Sequence, residues 1–204
     1  MPVIGMIFEQ IRERRLDLFF CTLLFAVGIY LGATSPAFET MLDNQMNGLR
    51  EVADQLKEQP NSELMFFVFI FLNNAVKALF VLYAGMLFGI IPAIFLVMNG
   101  MLIGYVFHKG LEAGHSFGHL LIAIVPHGII ELPALILAAA FGARLGIMTA
   151  KRLGRRMFGS PRAERPSEIR PYLRRTVPVS VALVVALLVA AIIESTITPW
   201  LIGL

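Results

Sequence analysis

The chain has 204 residues, of which 57% are hydrophobic and 15% charged, and a mean hydropathy of +0.76; a soluble domain averages ~45–50% apolar residues. That balance excludes a free-standing soluble enzyme and predicts one all-α integral membrane domain over 1–204, because five segments of roughly 20 apolar residues and two polar stretches fill the length. The net charge of +3 points to membrane topology rather than to nucleic acid, and the one cysteine, Cys21, lies in an apolar run, which excludes an intrachain disulfide framework or a multi-cysteine metal site.

Arg12, Arg14 and Arg15 precede the first apolar run, an arrangement similar to the start of a secretory signal. No small-residue cleavage site follows, Ser35-Pro36 being a poor one, so residues 18–34 read as an uncleaved first membrane helix that begins in the cytoplasm. The external stretch 36–63 carries six acidic residues against Arg50 and Lys57. Within it Leu42, Met46, Leu49, Val52, Ala53 and Leu56 recur at helical spacing, which predicts an amphipathic extracytoplasmic helix between Pro36 and Pro60. Its apolar stripe needs a cover. Either it lies on the membrane or caps its own bundle, or Leu42, Met46, Leu49, Val52 and Leu56 dock a partner protein.

The second membrane helix, 64–88, carries Asn73, Asn74 and Lys77, with both asparagines on the lysine's face. A tight turn at 85–89 leads into the third helix, 91–107, which carries Asn99, Gly100 and Gly104; its glycines permit close helix approach. In the short external stretch that follows, His108, Glu112, His115 and His119 would share one face of a helix. Glu112, His115 and His119 then have zinc-ligand spacing, although Gly110, Gly114 and Gly118 weaken any such helix.

The fourth helix, 120–148, is longer than a ~30 Å hydrocarbon core needs, and Pro126 and Pro133 each remove a backbone hydrogen bond. It is therefore expected to be kinked, strongly tilted or split. His127 and Glu131 lie one turn apart within it. A basic loop follows over 149–176; nine basic residues stand between 151 and 175 against Glu164 and Glu168. Three prolines predict mostly irregular backbone there, close to anionic lipid headgroups. The fifth helix, 177–198, holds Glu194 and ends at Pro199 beside Trp200. Thirteen Lys and Arg then fall inside and three outside, so the amino terminus is cytoplasmic and the carboxyl terminus extracytoplasmic.

Counting ~1.5 Å per residue from the outer boundary places Asn73, Asn99, His127 and Glu194 in one slice of the bundle. Lys77 and Glu131 come level one turn deeper. Two readings of this set remain open. It is a buried hydrogen-bond network with Asn74 that crosslinks helices, or His127, Glu131 and Glu194 hold a divalent cation such as Zn or relay protons.

Asn73-Asn74, Asn99-Gly100-x-x-x-Gly104, His127-Gly128-x-x-Glu131 with Pro133, Gly142 and Gly146, and Glu194-Ser-x-x-Thr198-Pro199 occur in an order that resembles the stage II sporulation protein M family. The resemblance implies a five-helix membrane scaffold of the septal and engulfing membrane in endospore formation. It further implies that this scaffold recruits membrane-anchored cell-wall hydrolases, and it carries over no catalytic residue. A non-enzymatic scaffold is therefore the leading expectation. A small transporter or channel at the His/Glu/Asn site is the alternative, for which a homodimer would supply a second half. An intramembrane metalloprotease comes third, because no His-Glu-x-x-His supplies the general base.

Overall fold

In hydrocarbon a chain must satisfy every backbone N–H and C=O within its own segment, which leaves long apolar runs only the helix. A computed structural model shows that outcome. It describes residues 3–158 and 169–202, without the side chains of 3, 4, 6, 123–127, 156 and 196–202. The elements are α1 (Val3–Glu13), α2 (Arg15–Thr34), a 3-10 turn at Pro36–Phe38, α3 (Glu39–Lys57), α4 (Ser62–Ala84), α5 (Ile90–Glu112), α6 (Phe117–Phe158) and α7 (Ile169–Ile202). Five of these can cross a membrane: α2, α4 and α5 over their whole lengths, α6 through Gly128–Arg155 and α7 through Ile169–Ser195. The protein is an all-α, multi-pass membrane bundle. Its acidic end carries α3 and its basic end carries Arg12, Arg14, Arg15 and Lys151.

α6 is the central post. Ala138, Ala139, Ala140 and Phe141 are all fully buried, so consecutive positions around its whole circumference meet protein. On one side Phe141 and Leu145 pack with Leu82 of α4 and with Tyr172, Val179 and Leu183 of α7. On the other, Leu135 and Ala139 pack with Cys21 and Phe25 of α2 and Leu96 of α5. Cys21 thus serves as a small apolar core residue.

Two glycine seams set how near the helices come. Gly28 and Gly32 of α2 face Gly100 and Gly104 of α5. A methyl group added at any of the four would lie well inside van der Waals contact with backbone atoms of the opposite helix. In the second seam Gly85 lies against Gly142, and Gly89 against Gly146. Both follow the small-xxx-small pattern that lets membrane helices gain packing without a hydrophobic drive between them. The second seam holds the turn from α4 to α5, where Phe88 at φ 57 and Gly89 at φ 74 take left-handed backbone.

That turn ends α4 at Ala84 rather than at residue 88. α5 instead runs past 107 to Glu112, where the His108–Glu112 and Lys109–Glu112 pairs, each 3.3 Å, span its last turn. α6 is one unbroken helix rather than two half-helices, with Pro133 exposed on its flank.

The basic stretch departs most from its expected irregular backbone over 149–176. α6 continues to Phe158 and α7 begins at Ile169, so helix covers both flanks and only 159–168 fall outside the described residues. The physical reason is that Lys, Arg, Leu and Met are good helix formers, and that Pro171 falls in a first turn, where no intrahelical N–H bond is needed. Tyr172 and Thr176 then pack inward, and the Tyr172 hydroxyl donates to the Phe141 carbonyl at 2.8 Å. Arg14, between α1 and α2, places its guanidinium 4.7 Å from the Tyr172 ring centre and 5.2 Å from that of Phe141. It tethers α1 to the core.

Gly32→Leu and Gly104→Leu are each expected to lower the unfolding free energy in detergent by at least the ~1–3 kcal/mol typical of overpacking. Gly154→Ala, in a helix with open space around it, should raise it by up to about 1 kcal/mol. Circular dichroism during denaturant titration makes the comparison, and a Gly32→Leu protein as stable as the unmodified one refutes the first seam.

Candidate functional site

Asn74 and Lys77 on α4 stand one turn apart, as do Glu131 and Leu135 on α6, so α4 presents two polar positions and α6 a polar and an apolar one to one gap. α5 adds Phe95 and Asn99, and α7 closes the back with Leu187. Together with Ala78 these residues line a small cleft of about 20 Å³, room for a water or the tip of one small polar side chain. The Asn99 amide donates to the Phe95 carbonyl at 2.8 Å, which fixes its orientation. The Asn73 amide donates to the Asn74 side-chain oxygen at 3.4 Å.

Asn74, Lys77, Asn99 and Glu131 therefore come together, with Asn73 bonded to their edge. Glu131 is half-buried and its charge acts on Lys77. Lys77 itself is exposed and so stands at the cleft's mouth. Glu194, half-buried on α7, does not line this cleft; both glutamates take part in polar or electrostatic interactions. The side chain of His127 lies outside the described residues, and the proposed His127/Glu131/Glu194 cation set with it. Glu131 brings a carboxylate and Lys77 an ammonium to one water-sized gap. Such a gap can knit helices through hydrogen bonds, and it can hold a proton.

The external histidines do not assemble as one helical face, because α5 ends at Glu112, Gly114 reverses the backbone at φ 85 and α6 starts at Phe117. Glu112 pairs with His108 and Lys109, while His115 and His119 stack on each other with ring centres 5.5 Å apart. Glu112, His115 and His119 are thus not gathered around one point. Among the described residues no group of three or more His, Cys, Asp or Glu is placed to hold a metal ion.

A second polar constellation clamps α3 to α5. Leu42 is fully buried against Met101 and Tyr105, with Met46 packed alongside. The Tyr105 hydroxyl donates to Asp43. Lys109 pairs with Glu39 at 2.5 Å and with Glu112, and it lies over the Tyr105 ring. The first half of the amphipathic helix therefore caps its own bundle. This corrects the partner assignment for Leu42 and Met46, whose apolar surface is used internally. Leu49 is exposed, and Val52 and Leu56 are half-buried. The sequence carried one signal for the clamp, a Tyr-x-x-x-Lys step facing a Glu-x-x-x-Asp step, but only the fold reveals that they meet. The hydrogen bond of 2.9 Å between Tyr83 and Ser180, which joins α4 to α7, had no such signal.

The family model of stage II sporulation protein M matches residues 21–199. Two uncharacterized proteins of Methanocaldococcus jannaschii are similar to the chain. One is 33% identical over 111 residues, covering 54% of this chain and 47% of that protein. The other is 24% identical over 181 residues, covering 87% of this chain and 90% of that protein. The chain thus spans about half the length of the first and most of the second. No solved structure matches it.

Across the cleft, a double-mutant cycle of Lys77→Met and Glu131→Gln should give a coupling of about 0.5–3 kcal/mol, the range for groups in one polar network. The double variant should then be more stable than the sum of the single losses predicts. Strict additivity in detergent unfolding removes the pair from the network.

Proposed function

Because the chain belongs to the stage II sporulation protein M family, we propose that it is a non-enzymatic, multi-pass membrane scaffold in endospore formation. In this reading it gathers membrane-anchored, peptidoglycan-degrading partners at the septal and engulfing membrane. The acidic end with α3 faces away from the cytoplasm, and the basic end faces inward against anionic headgroups, as the distribution of Lys and Arg favours.

The observation that carries the reading is the division of α3. Its first turns are locked to α5 by an apolar plug and two polar contacts. Its later turns carry exposed Leu49 and half-buried Val52 and Leu56. A helix fixed to its own bundle that still exposes Leu49 is preorganised for docking, because its ordering cost is met before a partner arrives. The glycine seams and the asparagine, lysine and glutamate set support the same reading, since they favour a stiff frame.

A photo-crosslinker at Leu49 in native membranes is expected to capture a wall hydrolase. The double substitution Leu49→Glu/Leu56→Glu should cut that capture at least tenfold with protein level unchanged. Capture that survives these charges overturns the interface.

A small transporter or channel is the second reading, and the facing Lys77 and Glu131 at the cleft favour it. It requires ion or solute flux in reconstituted vesicles that Glu131→Gln abolishes; vesicles without flux remove it.

A further inference from the structure

Lys77 occupies an unusual place: it lines the polar cleft and is also exposed on the flank of a membrane-spanning helix. Its neighbours Val76 and Phe80, 62% and 58% exposed, belong to the face that α4 turns to lipid. Lys77 stands seven positions before Ala84, the last residue of α4. At ~1.5 Å per residue the lysine therefore lies about 10 Å inside the basic end of the span. α4 and α5 touch only sparsely although they are consecutive, so the cleft opens sideways between them. An ammonium turned toward hydrocarbon is costly, and membrane proteins place such groups against a counter-charge or a polar path.

We propose that this opening is a lateral docking slot for the membrane-spanning helix of another protein, one that carries an acidic side chain at the depth of Lys77. The cleft has room for the tip of one such side chain, with Asn74 and Asn99 beside it as hydrogen-bond partners; Glu131 lines it as well, so the incoming acid shares the ammonium with Glu131. Charge decides the kind of occupant. A second copy of this chain fits poorly. Among the described residues, the carboxylates of the membrane-spanning helices that stand away from a helix terminus are Glu131 and Glu194, both half-buried in their own bundle. Glu194 also lies in the acidic-end half of α7, whereas Lys77 lies in the basic-end half of α4. A symmetric pair about an axis normal to the membrane keeps equal depths, so it cannot bring Glu194 to Lys77. The slot is a different surface from α3 and does not depend on the reading of that helix.

The test uses the full chain in phosphatidylcholine nanodiscs and synthetic leucine helices of one span, carrying Glu, Leu or Lys at the matched depth. Energy transfer between labelled protein and peptide should show the Glu helix binding at least tenfold more tightly than the Leu helix, and the Lys helix most weakly. Lys77→Arg should keep the preference and Lys77→Gln should abolish it. Should Lys77→Gln fail to fold, a photoreactive group at Val76 should capture the Glu helix while one at Val181, exposed on α7, does not. Equal affinity for the Glu and Leu helices overturns the slot, as does capture at Val181 rather than Val76. Energy transfer between copies of the protein that is lost with Lys77→Arg or Lys77→Gln would assign the surface to self-association and overturn it as well.

Discussion

Backbone touching backbone at the glycines of α2, α5 and α6 is the contact on which the rest of this structure rests. Lipid tails are as apolar as leucine, so helices gain little by burying leucines against one another, and they must gain from close, dense packing. Gly28, Gly32, Gly100 and Gly104 bring α2 onto α5, and Gly142 and Gly146 bring α6 onto the turn that joins α4 to α5. Those two approaches fix where the faces of α4, α5 and α6 point. The convergence of Asn74, Lys77, Asn99 and Glu131 is a result of that spacing. With larger residues in the seams the helices would stand apart, and each polar side chain would have to find its partner in lipid.

The two polar constellations differ in character. The cleft joins α4, α5 and α6 at membrane depth, where a polar group left without a partner is costly. The clamp of Glu39, Asp43, Tyr105 and Lys109 lies at the acidic end, partly exposed, and it positions a helix that does not cross the membrane. One sets the shape of the frame, and the other sets what the frame displays.

Much of this was legible in the sequence, for identifiable reasons. Hydrocarbon imposes the helix, so the five spans and the all-α architecture follow from apolar run length alone. Residue counting from the span ends brought Lys77 level with Glu131, because a helix advances by a constant rise. Counting along single helices could not give rotation about their axes, and for that reason it grouped Glu194 with residues whose cleft it does not line. The basic stretch misled because prolines were weighed by number rather than by place: Pro171 falls in a first turn, where it does no harm. The α3 clamp stayed hidden since Asp43 and Tyr105 lie 62 positions apart in the chain, and no local pattern encodes such a meeting.

The pairing of α2 with α5 has a consequence for how the chain is made. α2 leaves the ribosome before α4 and α5, yet its glycine partners Gly100 and Gly104 belong to α5. While α3 and α4 are being made, Gly28 and Gly32 have no α5 to meet, and α2 must be held in place by its own sequence. Its uninterrupted apolar run and the arginines at its start meet that demand. Assembly of the bundle is thereby ordered in time: the first seam closes only after α5 enters, α6 then packs onto α2, α4 and α5, and α7 encloses it last.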